Sequence, residues 1–160
     1  MAMEVILMIR IQHGNAVEAF AQGTIAVLGH QVNCDGVMGA GIARQIAQRW
    51  PTVLATYRTA LQNGSLTLGQ TQFVRVGPRQ WIANIAGQRH PTRSGRATDY
   101  AALAQGLTQF ADFLRHHAVS GGLPYGIGCG LAGGDWAVVE PLITQAFSSS
   151  NLFLTLFRWP

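Results

Sequence analysis

Apolar and polar residues along this chain follow two alternating spacings. Short runs rich in β-branched and aromatic residues predict strands at 5–11, from 24–28 onward toward 33, and at 71–76, 81–86, 123–127 and 152–159. Between these runs, apolar residues three or four positions apart predict helices at 39–50, 51–63, 99–117 and from 135 onward. Strands that alternate with helices in this way indicate a layered α/β fold.

Proline, glycine and aspartate mark the predicted ends of the helices. Pro51 ends one helix and begins the next, and Asn63 with Gly64 stops that second helix. Asp99 and Asp135 are interpreted as helix N-caps in preference to catalytic groups, because a carboxylate there accepts hydrogen bonds from free backbone N–H groups. No internal repeat and no linker interrupts the pattern, so we expect one domain.

Two glycine-rich segments stand out from this pattern. Residues 33–43 read NCDGVMGAGIA and residues 124–136 read PYGIGCGLAGGDW, and each lies between a strand-like and a helix-like run. Glycine at such a turn lets the backbone approach a ligand closely, and a helix N-terminus offers free N–H groups and the positive end of a dipole. Two such turns predict a site that binds a diphosphate from both sides.

Composition narrows the function classes. The chain is 48% hydrophobic and 11% charged, which is typical of a globular protein with a core and excludes a disordered one. All eleven basic residues are arginine, so a lysine nucleophile or Schiff base is excluded. The net charge of +4 is compatible with anionic ligands such as nucleotides, and equally with an arginine-rich genomic composition.

The two cysteines lie inside the two glycine segments. Cys34 and Cys129 lack the spacing of a metal site, and a disulfide between them would require the two loops to face each other. Free thiols in a reducing cytoplasm are therefore the expected state. Residues 1–11 are apolar but too short for a membrane span, and they carry Glu4 and Arg10, so we interpret them as containing a strand and predict a cytoplasmic protein without a membrane partner.

The run from Gln31 to Ala43, with 124–136 downstream, resembles the macrodomain family, which binds ADP-ribose. The resemblance covers nearly the whole chain. It is strongest to the branch with terminal ADP-ribose glycohydrolases, macrodomain antitoxins that reverse DNA ADP-ribosylation, and ADP-ribose 1''-phosphate phosphatases. It implies a three-layer α/β fold in which a mixed, roughly six-stranded sheet lies between helices. On this basis residues 1–160 are expected to form a single macrodomain.

The resemblance also implies which residues contact the ligand. Asn33 matches a residue at the distal ribose, 39–41 and 126–131 match two phosphate loops, and Gly14 with Asn15 matches the turn before the adenine pocket. Tyr125 is added as a residue that can stack on a ribose or line the cleft. The predicted binding residues are Gly14, Asn15, Asn33, Val37, Met38, Gly39, Ala40, Gly41, Ile42, Tyr125, Gly126, Ile127, Gly128, Cys129, Gly130 and Leu131.

Three departures from the family pattern bear on the chemistry. In the glycohydrolase branch a lysine follows the strand equivalent to 81–86, where this chain has Gly87 and Gln88. In the same branch an aspartate follows the Gly-Leu of the second motif, where this chain has Ala132. In the branch that hydrolyses esters of acidic residues, an aspartate follows the first motif, where this chain has Ala43. The resemblance therefore implies neither of those mechanisms for this chain.

Asp35 and His90 are the predicted catalytic residues. Asp35 can orient water or act as a general base, and its alternative role is a turn residue bonded to its own backbone. His90 can carry a proton or attack a phosphate, and its alternative role is a solvated loop residue. Arg89, Arg93 and Arg96 either hold an additional phosphate or form an ordinary basic loop.

The function predicted from these observations is binding of ADP-ribose, with hydrolysis of ADP-ribose 1''-phosphate or a related ADP-ribosyl derivative. A non-catalytic ADP-ribose reader is one alternative. Lysine-independent removal of ADP-ribose from protein or nucleic acid is another. No metal and no cofactor are predicted, the expected partners are ADP-ribose derivatives and ADP-ribosylated macromolecules, and the loop at 89–96 offers only weak support for nucleic acid.

Overall fold

A six-stranded sheet runs through the protein, with helices on both faces. The computed structural model describes residues 8–92, 94–148 and 152–159. The strands are β1 (Met8–His13), β2 (Val27–Val32), β3 (Thr71–Gly77), β4 (Gln80–Ala86), β5 (Gly121–Pro124) and β6 (Phe153–Arg158). The helices are α1 (Ala16–Ala21), α2 (Gly41–Arg49), α3 (Pro51–Asn63), α4 (Tyr100–His117) and α5 (Trp136–Phe147).

The sheet has the strand order β1-β6-β5-β2-β4-β3 and is mixed. All neighbouring strands are parallel except β3, which pairs antiparallel with β4. One apolar cluster joins the sheet to α1, α2 and α3 around Phe20, Ile46 and Tyr57. A second cluster joins the opposite face to α4 and α5 around Leu103 and Phe110. The predicted three-layer α/β fold is confirmed.

Two elements differ from the prediction. Helix α1 was not predicted; Asn15 caps it, its Oδ1 accepting from the N–H groups of Val17 and Glu18. Strand β5 occupies 121–124 instead of 123–127, and it begins with two glycines because a Cβ at either position would press into the core (2.5 Å from Leu114 Cδ1 at position 121). Residues 125–127 belong to the following loop, and of the predicted first strand 5–7 lie outside the described residues.

The topology brings three loops to one edge of the sheet. Strands β2, β4 and β5 are parallel neighbours, so their carboxyl ends meet at the same edge. The loops that follow them contain 33–40, 87–99 and 125–135. In open α/β sheets ligands bind at such an edge. No helix within the described ranges is long and apolar enough to cross a membrane.

Candidate functional site

A cleft of about 550 Å³ opens where these three loops meet. Its lining consists of residues 31–33, 37 and 39–43 from the first loop side, 88, 91 and 92 from the second, and 124, 126–128 and 130–132 from the third. Both glycine segments therefore face one cavity. Of the predicted binding residues, five do not line it: Gly14, Asn15, Met38, Tyr125 and Cys129. Met38 is instead buried in the apolar cluster around Phe20.

Asn33 organises the first glycine segment from within. Its Oδ1 accepts from the N–H groups of Asp35 at 3.0 Å and Val37 at 3.2 Å, and its Nδ2 donates to the Val37 carbonyl at 2.8 Å. The buried Tyr57 hydroxyl hydrogen-bonds both the Asn33 carbonyl and its Oδ1. Burial raises the pKa of Tyr57, so its hydroxyl stays protonated and donates. Asn33 lines the cleft while its amide holds the loop in shape.

The first segment ends at an uncapped helix N-terminus. Helix α2 begins at Gly41, whose φ is +56°, and no side chain caps it. The first-turn N–H groups of Gly41, Ile42 and Ala43 have no intrahelical partners, and all three residues line the cleft. A helix N-terminus of this kind attracts anions. The predicted phosphate cradle at 39–41 therefore lies in the cleft lining beside an open helix N-terminus, and its role stays a prediction.

The second segment is shaped by backbone contacts. Ile127 N–H donates to the Pro124 carbonyl and Cys129 N–H to the Gly126 carbonyl, forming consecutive turns. The alternate N–H groups of Gly126, Gly128 and Gly130 make no hydrogen bond to any other residue in the described part of the chain. Turn amides left open in this way can bind an anion.

The helix after the second segment does not contribute its N-terminus to the cleft. Asp135 caps α5, its Oδ1 accepting from Ala137 N–H at 2.9 Å, and the lining ends at Ala132. Asp99 likewise caps α4, accepting from Ala102 N–H at 3.0 Å. Both aspartates are helix caps, as predicted. A diphosphate in this cleft would face one helix N-terminus and one loop, instead of two helices.

Asp35 and His90 contact each other beside the cleft, and neither of them is among its lining residues. His90 Nδ1 lies 2.8 Å from Asp35 Oδ2, and the two side chains are 68% and 40% exposed. The neighbouring Cys34 N–H donates to the Arg89 carbonyl at 2.9 Å, which joins the two loops by their backbones as well. Residues on both sides of each partner line the cavity. The predicted catalytic residues are thus brought together.

The arginines of the second loop differ in their surroundings. Arg96 places its guanidinium 4.4 Å from the centre of the Tyr100 ring. Neither Arg89 nor Arg96 forms an ion pair with a carboxylate of the described residues. Arg93, the third predicted anion-binding residue, lies outside those residues.

Gln31, Gln88 and Thr98 form a hydrogen-bond network beneath the cleft, and the sequence did not single out Gln31 or Thr98. Gln31 Nε2 donates to Gln88 Oε1 at 2.8 Å and to Thr98 Oγ1 at 2.9 Å. Thr98 donates to the Gly128 carbonyl at 2.6 Å, and Gln88 Nε2 donates to the His90 carbonyl at 3.0 Å. Gln88 occupies the place at which the family resemblance implies a lysine.

The predicted adenine end is formed by the turn after β1 and the end of β6. Gly14 N–H donates to the Arg158 carbonyl at 3.0 Å, and the Arg158 guanidinium lies 4.7 Å from the Tyr125 ring centre. The Asn15 Oδ1 caps α1, and one hydrogen of its Nδ2 is donated to Gln45 at 3.1 Å. The second Nδ2 hydrogen is left for a ligand such as an adenine.

Neither thiol has the character of a nucleophile. Cys34 and Cys129 are free, and burial raises the pKa of each, so both are protonated near neutral pH. Cys129 Sγ faces the Ile127 carbonyl within its own loop. Nowhere in the described ranges do three histidine, cysteine, aspartate or glutamate side chains gather as metal ligands.

Comparison with known proteins gives relatives in sequence and in structure. No family model matches the chain. The DNA ADP-ribosyl glycohydrolase of Mycobacterium tuberculosis is 31% identical over 120 residues, which are 72% of this chain and 33% of that protein. The chain therefore spans about a third of the length of the mycobacterial relatives that it matches.

Two solved structures cover nearly the whole of this chain. The macrodomain of Mycobacterium tuberculosis DarG has a TM-score of 0.80 at 28% identity, covering 96% of this chain and 98% of that one. The macrodomain of Thermus aquaticus DarG has a TM-score of 0.79 at 25% identity, with 94% and 97% covered.

Proposed function

Because this chain belongs to the macrodomain family, we propose that its cleft binds ADP-ribose and that it hydrolyses the bond between ADP-ribose and an attached group. The observation that carries the proposal is the 2.8 Å contact between His90 and Asp35, which joins two loops that line a cleft together with the second glycine segment. Residues 1–160 then form one macrodomain, and the free thiols suit a cytoplasmic protein.

Binding rests on backbone N–H groups from two sides of the cleft. The uncapped first turn of α2 faces one phosphate, and the open amides of Gly126, Gly128 and Gly130 face the other. Since these donors belong to the backbone, they recognise the diphosphate and not the group attached to it. The distal ribose then lies toward Asn33 and the Asp35–His90 pair.

The pair supplies proton transfer. When Asp35 Oδ2 accepts a hydrogen bond from His90 Nδ1, the proton is held there and Nε2 keeps its lone pair. His90 Nε2 takes a proton from a water molecule as the water oxygen bonds to the anomeric carbon of the distal ribose. The bond to the attached group breaks, and His90 Nε2 passes the proton taken from water to the departing group. Asp35 orients the ring.

An anionic leaving group suits the loop that carries His90. Arg89 and Arg96 belong to this loop, and neither forms an ion pair with a carboxylate among the described residues. The relative named DNA ADP-ribosyl glycohydrolase supports ADP-ribosylated DNA as the first substrate to test. ADP-ribose 1''-phosphate is the second, because its leaving group is a phosphate. With Gln88 in place of a lysine, both reactions use water as the nucleophile.

Calorimetric titration with ADP-ribose, followed by two turnover assays, tests the proposal. One assay measures release of ADP-ribose from an ADP-ribosylated DNA oligonucleotide, and the other measures phosphate release from ADP-ribose 1''-phosphate. We expect binding and turnover in at least one assay. Asp35→Ala and His90→Ala should each lower kcat by about a hundredfold, the usual size of an acid–base contribution, while ADP-ribose affinity changes little.

Asp112→Ala and His116→Ala are the matched controls, since both residues are exposed on α4, which contributes no lining residue, whereas Asp35 and His90 lie in loops that line the cleft. Binding without turnover of either substrate would identify a non-catalytic ADP-ribose reader. Turnover that survives both Asp35→Ala and His90→Ala would refute the proposed chemistry. Absence of binding would refute the proposed site.

A further inference from the structure

Gln31 makes a branched set of hydrogen bonds that joins two of the cleft loops. It is the penultimate residue of β2, and both hydrogens of its Nε2 are used, toward Gln88 Oε1 at 2.8 Å and Thr98 Oγ1 at 2.9 Å. These partners are 57 and 67 positions away in sequence. A donor with two long-range acceptors has one orientation that satisfies both.

One branch reaches the segment that carries His90. Gln88 accepts from Gln31 with its oxygen, and its Nε2 donates to the His90 carbonyl at 3.0 Å. Gln88 is buried (8% exposed), so its amide has little freedom to turn away. The backbone from which the His90 side chain projects is thereby tied to β2.

The other branch reaches the second glycine segment. Thr98 is 2% exposed, accepts from Gln31 and donates to the Gly128 carbonyl at 2.6 Å. Gly128 lies between the bonded turn amides of Ile127 and Cys129, so its carbonyl sets the position of that turn. Gln31 is therefore hydrogen-bonded, through one intermediate in each case, to the His90 segment and to the second glycine segment.

Glycine at position 87 makes room for this amide. A Cβ on Gly87 would overlap Gln31 Oε1, and one on Gly128 would lie 3.1 Å from the same atom. Gln31 Oε1 is buried and has no hydrogen-bond partner in the described part of the chain. A buried acceptor without a donor costs about 1–3 kcal/mol. This cost is retained where a smaller apolar residue would fill the space, which argues for a role other than packing.

We propose that Gln31 is a positioning residue for hydrolysis in this cleft, holding the His90 segment and the second glycine segment at a fixed separation. The proposal rests on the proposed function. One phosphate of the bound diphosphate meets the second segment, while the proton acceptor projects from the segment at 88–92. Gln31 fixes the distance between them, and a displacement of about 1 Å between reacting groups can lower a rate by a hundredfold.

Two variants separate the branches. Gln88→Met cuts the branch to His90 and should lower kcat by about tenfold or more with little change in KM. Thr98→Val cuts the branch to Gly128 and should chiefly raise KM. Gln31→Met keeps the side-chain length but removes both donors, so it should lower kcat and raise KM together. Gln109→Met is the control, because Gln109 bonds the Thr71 N–H outside the cleft.

A second readout does not depend on turnover. The Cys34 N–H donates to the Arg89 carbonyl at 2.9 Å, so its hydrogen exchange reports on the position of the His90 segment. Exchange at Cys34 should be faster in Gln31→Met and Gln88→Met than in Gln109→Met. Gln31→Glu, which keeps the shape and loses the donors, replaces Gln31→Met if that variant does not fold.

The outcomes distinguish this proposal from the proposed function. If the wild type has no activity but the Cys34 N–H exchanges faster in Gln31→Met than in Gln109→Met, the proposed hydrolase function is wrong. The coupling of the two segments by Gln31 is then still supported. If the wild type is active and Gln31→Met, or Gln31→Glu in its place, matches Gln109→Met in kcat, KM and Cys34 exchange, the positioning role is overturned.

Discussion

The two glycine segments have similar sequences but are built in different ways. In the first, side chains hold the loop: Asn33 bonds the N–H groups of Asp35 and Val37, and Tyr57 bonds Asn33. The second is held largely by hydrogen bonds between backbone groups: Gly134 N–H donates to the Gly128 carbonyl at 2.8 Å, and Ala97 N–H donates to the Ala132 carbonyl at 2.8 Å. The first leads directly into an open helix N-terminus, and the second leads into a capped one.

This difference shows what a glycine-rich motif does and does not specify. Both segments present backbone amides to one cleft, so both can meet an anion. Only the first adds a helix dipole, because its helix starts inside the lining at Gly41, whereas α5 starts after Asp135. We therefore expect the first segment to dominate diphosphate affinity and the second to depend on close backbone packing.

The largest expected effect comes from placing a negative charge at the open helix. Gly41→Glu should lower ADP-ribose affinity by about a hundredfold or more, because like charges placed together at a binding site cost several kcal/mol. Calorimetric titration measures this. The site has room for the side chain, since nothing lies within 4 Å of a Cβ built there. Lost affinity would therefore reflect the charge and the filled cradle.

Gly64→Glu is the matched control for that experiment. Gly64 also has a positive φ, +78°, and no atom within 4 Å of a built Cβ, but it ends α3 and does not line the cleft. The two variants share the backbone strain and differ in location. If Gly41→Glu binds ADP-ribose as tightly as the wild type, the first segment does not bind the diphosphate. The expected difference in affinity between the two segments is then wrong.

Most elements of the fold could be predicted from local patterns, and the two that differ have local causes. Helix α1 was missed although Asn15 and Glu18 have the spacing of an N-cap with an acidic residue three positions later. Strand β5 was misplaced because glycine disfavours strands in general. At 121 and 122 the crowding of the core outweighs that preference.

The site could be predicted in its parts but not in its assembly. Asp35 and His90 were predicted separately, and their contact joins positions 55 residues apart. The ring of Tyr57 is buried in the core, while its hydroxyl hydrogen-bonds Asn33, a contact that helical spacing does not reveal. Which polar atoms meet across loops depends on how the strands order in the sheet, and periodicity along the chain carries no information about that.

A test of the second segment uses its close backbone contact. Gly133 has a φ of +73°, and a Cβ there would overlap the Gly95 carbonyl oxygen. Gly133→Ala should lower the free energy of unfolding by about 3 kcal/mol, since strain and overlap with backbone both oppose the methyl group. In the first segment, a Cβ at Gly39 meets nothing closer than 3.7 Å, so Gly39→Ala should change stability by about 0.5 kcal/mol or less.

Urea denaturation of the two variants gives these values. If Gly133→Ala is as stable as Gly39→Ala, the second segment can relax its backbone, and the distinction between side-chain and backbone construction is wrong. If both variants are strongly destabilised, the first segment is also more tightly packed than its contacts indicate.

The smallest effect comes from the strands that lead into the segments. β2, which precedes the first segment, contains the fully buried His30, whereas β5, which precedes the second, has no titratable side chain. His30 Nε2 lies 2.7 Å from Asn84 Oδ1, but burial dominates and lowers the pKa of His30 to about 4. The folded protein therefore holds this ring neutral at pH values where the unfolded chain protonates it.

Stability should consequently fall as the pH drops below the ordinary histidine pKa of about 6.5 and continue to fall until the folded-state pKa near 4. Between pH 7 and pH 5 the contribution of His30 amounts to about 2 kcal/mol. Urea denaturation at several pH values should show this slope in the wild type and in His116→Gln, an exposed control, but a much smaller slope in His30→Gln. If the unfolding free energy of His30→Gln depends on pH as strongly as that of the wild type, groups other than His30 cause the acid sensitivity. β2 and β5 then do not differ in their contribution to it.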